Sequence, residues 1–163
     1  MKIFLCSVVF LLVVINSKSQ KASIYAKDPI ENLSKKQLFE YLRTKIIAFG
    51  EEIKDVKIIE DVCFLVIYYE DGNIIEQHLE NLDGNGISWD IFDKSLRLQI
   101  SSNSSGYADY RTIKDNKDES GPRAFTRCLF NLSRISGEPN FQNNIVLAYK
   151  KLIKICGGNP AIK

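Results

Sequence analysis

His78 is the only histidine of the chain, and Glu76 and Glu80 stand two positions from it on either side. A histidine flanked by carboxylates has the makings of a general base with a raised pKa, or of part of a metal site. On a single strand face, however, these three side chains spread over roughly 13 Å at about 3.3 Å per residue, too far to close on one small ion unaided. His78, Glu76 and Glu80 are thus the candidates for catalysis, set against the plainer reading of a solvated polar cluster.

The run Asp83-Gly84-Asn85-Gly86 opens like a calcium loop, with oxygen-bearing side chains at alternate positions. The pattern then fails at Ile87 and at Lys94, where a twelfth-position glutamate would stand, and a plain loop is the simpler account. No serine sits in a nucleophile elbow, and one histidine leaves little for a triad. No Cys-x-x-Cys or Cys/His cluster points to a metal, and nothing implies a cofactor. The larger candidate is basic. Net charge is +5 over residues 1–50, −9 over 51–120 and +6 over 121–163, and Arg123, Arg127, Arg134, Lys150, Lys151 and Lys154 fall on what read as the outer faces of two C-terminal helices. Such a stripe is either a solvated or internally paired face, or a binding surface for an acidic protein, an acidic glycan or lipid headgroups. The acidic middle argues against nucleic acid.

Lys2, the uncharged run Ile3–Ile15 and the polar segment Asn16–Gln20 have the layout of a signal peptide, with small Ser17 and Ser19 placing cleavage before Gln20. Thirteen apolar residues are short for a span, so no transmembrane segment is expected after cleavage. Export implies a secreted or periplasmic location. The mature chain would keep Cys63, Cys128 and Cys156, an odd number with apolar neighbours. They read as three buried thiols, or as one bridge between Cys128 and Cys156. Asn-x-Ser triplets begin at Asn32, Asn103 and Asn131; the last falls in an expected helix, leaving Asn32 and Asn103 as acceptors.

The leader ending Asn-Ser-Lys-Ser-Gln and the tail from Tyr149 to Gly158, ending Ile-Cys-Gly-Gly, resemble uncharacterised exported proteins of Bacteroidota. The resemblance covers only the two ends of the chain and implies a location outside the cytoplasm, with no function attached.

These residues must be positioned by the elements around them. Val62–Tyr69 is an eight-residue uncharged run rich in β-branched and aromatic types, followed by Glu70-Asp71-Gly72-Asn73. It reads as a central strand entering a two-residue Asp-Gly hairpin turn. That turn sets Leu65 opposite His78 and Phe64 opposite Leu79. One face then holds Val62, Phe64, Val66, Tyr68, Ile75, Gln77 and Leu79 and reads as the core; the other is half ionisable. Upstream, Ser34 and Gln37 form a capping box, and Leu38, Phe39, Leu42, Ile46 and Phe49 make a helical stripe ending at Gly50. Val56–Glu60 precedes the hairpin and can run into it as one bent strand. Beyond it, Ile87–Phe92, Leu96–Ile100 and Tyr107–Lys114 read as strands. A helix is expected from Pro122, with Phe125, Cys128, Leu129, Leu132 and Ile135 inward, and a last one with Ile145, Ala148, Tyr149, Leu152 and Ile155 inward.

The expectation is an α+β fold: residues 1–19 a signal peptide, 20–33 a flexible lead-in, 34–158 one domain and 159–163 a tail. The domain comprises an N-terminal helix, an antiparallel meander of four to six strands and two C-terminal helices packed on the sheet. The function expected is a non-catalytic binding or interaction module. The alternatives are a carrier holding a small apolar ligand on the half-apolar sheet face, and a small enzyme using His78 with Glu76 and Glu80.

Overall fold

The computed structural model of the chain describes residues 30–102, 108–110, 113–114, 117–118, 121–123 and 125–158. The expected leader, Asn103 and the tail lie outside them. The fold is α+β, with two antiparallel three-stranded sheets and three α-helices among the described residues.

Helix α1, Lys35–Phe49, begins where its cap is strongest: Gln37 N–H donates to Ser34 Oγ and Ser34 N–H to Gln37 Oε1, satisfying two donors that a helix start leaves open. Its stripe of Leu38, Phe39, Leu42 and Ile46 is buried. Gly50 ends the helix in an extended conformation rather than a left-handed one. A glycine is needed there because a Cβ would lie 2.4 Å from both Ile46 O and the Ile53 side chain.

Strands β1 (Ile53–Ile59), β2 (Phe64–Tyr69) and β3 (Ile74–His78) form the first sheet, with β2 central. Instead of one bent strand, β1 and β2 are separate and antiparallel. The reversal is a 3₁₀ turn, Glu60–Val62, closed by Cys63 at φ 56°. The β2–β3 hairpin also differs from expectation. Phe64 pairs with His78, Leu65 with Gln77, Val66 with Glu76 and Ile67 with Ile75, one residue away from the register of an Asp-Gly turn. Glu70-Asp71-Gly72 forms a three-residue loop with Gly72 at φ 87°, while Asp71 Oδ1 accepts the Asn73 N–H. A one-residue slip exchanges every facing pair. Gln77 and Ile75 now lie beside Leu65 and Ile67, and Glu76 and His78 beside Val66 and Phe64. The inner face therefore contains Leu65, Ile67 and Gln77, all fully buried; of the face expected to be core, the β3 residues Ile75 and Gln77 do lie inside, whereas the β2 residues Phe64, Val66 and Tyr68 lie on the opposite face, where Val66 is still buried.

The second sheet has strands β4 (Leu82–Phe92), β5 (Ser95–Ser102) and, later in the chain, the strand Phe125–Asn131, with β5 central. Asp83–Gly86 is not a free loop but a bulge within β4, between the pairs Leu82–Ser102 and Ile87–Ile100. Between β5 and the Phe125 strand come two short ladders. Strand β6 (Ala108–Tyr110) pairs with β9 (Gly121–Arg123), and β7 (Ile113–Lys114) with β8 (Lys117–Asp118). The residues expected to begin a helix at Pro122 are thus β9 and β10, Phe125–Asn131. In β10, Cys128 and Phe130 are buried against β5 while Leu129 between them is only half-buried, so a period of two prevails over a period of 3.6. Only Leu132–Ile135 is helical here (α2), capped by Asn131 Oδ1, which accepts from Ser133 N at 3.0 Å and Arg134 N at 3.4 Å.

Helix α3, Phe141–Ile155, buries Ile145, Ala148, Tyr149, Leu152 and Ile153; Ile155, expected inward, is exposed. It runs antiparallel to α1, since Phe141 at its start meets Phe49 at the end of α1 edge to face, 5.3 Å between centroids, whereas Lys151 near its end donates to Leu33 O and Glu31 O before the start of α1. The α3 C-terminus forms a Schellman motif. Gly157 sits at φ 86°, Gly157 N–H points to Lys154 O and Gly158 N–H donates to Ile153 O at 2.9 Å. Cys156 bridges to Cys63, and among the described cysteines Cys128 is the free, buried one, so neither three buried thiols at 63, 128 and 156 nor a Cys128–Cys156 pair is present. Both sheets share the helical cover. Gly50 bridges to Phe130, Glu51 N–H donates to Leu129 O, and Phe141 packs on Phe130 at 5.2 Å.

Candidate functional site

The hairpin register decides what His78 can do. It places His78 opposite Phe64, and the two rings lie against each other, 3.7 Å between centroids and tilted by 45°. Nε2 lies 3.7 Å from Glu76 Oε2, an ion pair when the ring is protonated. Glu80 does not continue this face, because β3 ends at His78 and Glu80 belongs to the 3₁₀ turn Leu79–Asn81. The structure thus brings together two of the three expected groups and an aromatic ring, on the outer face. Among the described residues no three His, Cys, Asp or Glu side chains converge as a metal set.

The basic residues are dispersed by the absence of the expected helix. Arg123 is on β9 and Arg127 on β10, opposite Gln99. Arg134 Nη1 donates to Gly50 O at 3.3 Å. Lys151 is held by the carbonyls of Glu31 and Leu33, whereas Lys154 is exposed and Lys150 partly so. Of the six residues, four thus lie on α2 and α3 and two on strands. The Asn131 sequon also changes setting, as the capping residue between β10 and α2 rather than a helix-interior residue, while Asn32 is exposed at the end of the turn Ile30–Asn32.

The ionisable groups with displaced pKa values lie inside. Burial pushes the Cys128 thiol far above its usual range, and burial with Cys128 nearby does the same for the Tyr149 and Tyr69 hydroxyls. Tyr149 donates to Gln77 Oε1 at 2.8 Å, joining α3 to β3 through the one buried polar side chain among the described core residues. A thiol held this firmly neutral is a small hydrophobe in practice, not a nucleophile.

A different surface stands out, at the turn between β4 and β5. Ile91 is 69 % exposed and Phe92 62 % exposed, the two largest exposures among the large apolar side chains of the described residues. Alternation puts them on opposite faces of the hairpin: Ile91 on the face that carries buried Leu96 and Leu98, and Phe92 on the outer side with Arg97, whose guanidinium lies 5.0 Å from the Phe92 ring. The tip is pinned, because Leu132 N–H donates to Lys94 O in the turn. Leu132 in turn lines an open groove of roughly 440 Å³ with Ile135 and Phe141, edged by Ser136, Glu138, Asn140, Gln142 and Asn143. Lys45 of α1 reaches Glu138 and lies over the Phe49 ring. Behind the tip, Trp89 packs on Phe130 and Phe141, and its buried indole N–H has no partner among the described residues. Sequence reasoning placed a strand at Ile87–Phe92 but missed the tip. The available signal was two adjacent large apolar residues next to Asp93-Lys94, which in any hairpin puts one on each face.

No helix among the described residues is long and apolar enough to cross a membrane. No family model, curated protein or solved structure matches the chain.

Proposed function

We propose that the protein is a non-catalytic interaction module whose recognition surface is the tip of the β4–β5 hairpin with the adjoining groove. The observation that carries this reading is the pair Ile91 and Phe92, both mostly exposed on a tip fixed by the Leu132–Lys94 hydrogen bond. Covering large apolar side chains is worth about 1.5–3 kcal/mol each, and a rigid tip loses little entropy when covered. The other readings draw less support. The inner sheet face that a carrier would hollow out is filled by Leu65, Ile67 and the helices, and His78 spends its ring on Phe64. The Cys63–Cys156 bridge supports an oxidising compartment, outside the cell or in the periplasm.

The test is a photoreactive phenylalanine analogue at position 92 in the native host, with a second chain carrying it at exposed Lys54. Discrete adducts at 92, absent at 54 and lost in Ile91→Ser, are expected. The same adduct pattern at both positions refutes the reading.

A further inference from the structure

We propose that two copies of the chain pair antiparallel along their β4 edges, with Trp89 opposite the second copy's Trp89, so that two three-stranded sheets become one of six strands. This rests on the hairpin tip being the recognition surface and names its partner as the chain itself.

Strand β4 is an edge strand, bonded to β5 on one side and to no strand on the other among the described residues. Natural edges are blunted by lysine, proline or a bulge. In β4 the bulge lies before Ile87, and Ile87–Phe92 contains neither lysine nor proline. The exposed Ile91 and Phe92 lie on opposite faces of this segment. A partner docking against one face would cover one of them, whereas a strand added edge-on flanks both.

Charge then selects the register. In a two-fold pairing one residue faces its own copy. Centring on Asp90 opposes two carboxylates, which is destabilising. Centring on Ile91 sets Asp90 against Phe92 and Asp93 against Trp89. Centring on Trp89 sets Asp90 against Ser88, Ile91 against Ile87 and Phe92 against Gly86, so the acid meets a hydroxyl, apolar meets apolar, and the Phe92 ring covers a glycine. Directly opposed side chains share a face, so Ile87, Trp89 and Ile91 of both copies form one apolar patch on the helix side. The strand is thus complementary to itself, and this favours a second copy over an unrelated strand.

The experiment is light scattering on the purified protein from roughly 1 to 100 µM. The expected result is a mass that doubles across the series, and a monomer throughout for Ile91→Lys, with its thermal melt unchanged at about 1 µM, where the wild type is also monomeric. Register is read by oxidising mixtures of Ser88→Cys and Asp90→Cys chains. The mixed disulfide should exceed either homodimer by more than about tenfold. A wild-type monomer at every concentration, an Ile91→Lys that still dimerises, or a homodimer yield equal to the mixed one overturns the pairing. If the protein is monomeric while position 92 still captures a different protein, the edge pairing falls and the interaction reading stands; with neither, both fall.

Discussion

Truncating two neighbours on β2, Leu65 and Phe64, tests the face assignment directly. Leu65 is fully buried on the inner face, and Leu65→Ala removes about three methylene equivalents, roughly 2.4 kcal/mol at ~0.8 kcal/mol each. A β-sheet under two helices cannot collapse freely into the space, so the cavity raises the cost to about 3–5 kcal/mol. Phe64, the larger residue, is only half-buried, its ring lying on His78 at the outer face. Phe64→Ala should therefore cost about 1–2 kcal/mol, well below the ~3–5 kcal/mol of a core phenylalanine. Paired urea melts at constant slope would compare them. A larger loss for Phe64 than for Leu65 would mean that the hairpin has the Asp-Gly register after all, and with it that the outer face is the core.

Three further outcomes are expected. Closing a loop of 93 residues, the Cys63–Cys156 bridge should stabilise the fold by up to about 4.6 kcal/mol through the unfolded chain, so reduction or Cys63→Ser should lower the urea midpoint sharply; an unchanged midpoint refutes the bridge. Ser34→Ala should cost about 0.5–2 kcal/mol in the same melt, with Ser34→Gly milder, because the cap serves backbone donors at the start of α1. Burial raises the pKa of Cys128 and Tyr149, so each stays protonated in the folded state and ionises more readily when unfolded. Stability should then be level below about pH 8.5 and fall above it by up to ~1.4 kcal/mol per pH unit per group. Cys128→Ala should delay the onset toward the tyrosine range near pH 10, and a pH-independent difference between the two proteins would refute the assignment.

What the sequence made legible was local. The Ser34–Gln37 box and the α1 stripe depend on contacts within a few residues, and Leu96, Leu98 and Ile100 alternate as a strand must. Where two local readings were equally good, the distant partner decided. Glu70-Asp71-Gly72-Asn73 fits a two-residue or a three-residue loop, since both want a left-handed glycine; burial of Leu65 and Ile67 beneath the helices selects the second. Phe125, Cys128, Leu129, Leu132 and Ile135 satisfy a helical period, yet β5 needs a neighbour, and Cys128 and Phe130 supply its inward positions. Cys63 sat in an apolar run and looked like core. Its pairing depends on the turn Glu60–Val62 meeting the end of α3, a proximity that no spacing encodes.

The bridge also governs how the molecule bears force. A pull between the start of α1 and Gly158 reaches Cys156 and passes through sulfur to Cys63, leaving residues 64–155 outside the tensioned path. Those residues contain both hairpins, the second sheet and α3, including the β4 edge and its exposed tip. Only α1, β1 and the 3₁₀ turn after it can be drawn out, while about 310 Å of contour, at roughly 3.4 Å for each of the residues within the loop, stays locked. Stretched from its ends, the oxidised protein would lengthen in a short step and keep its hairpin tip in place, whereas the reduced protein would pay out nearly its whole chain.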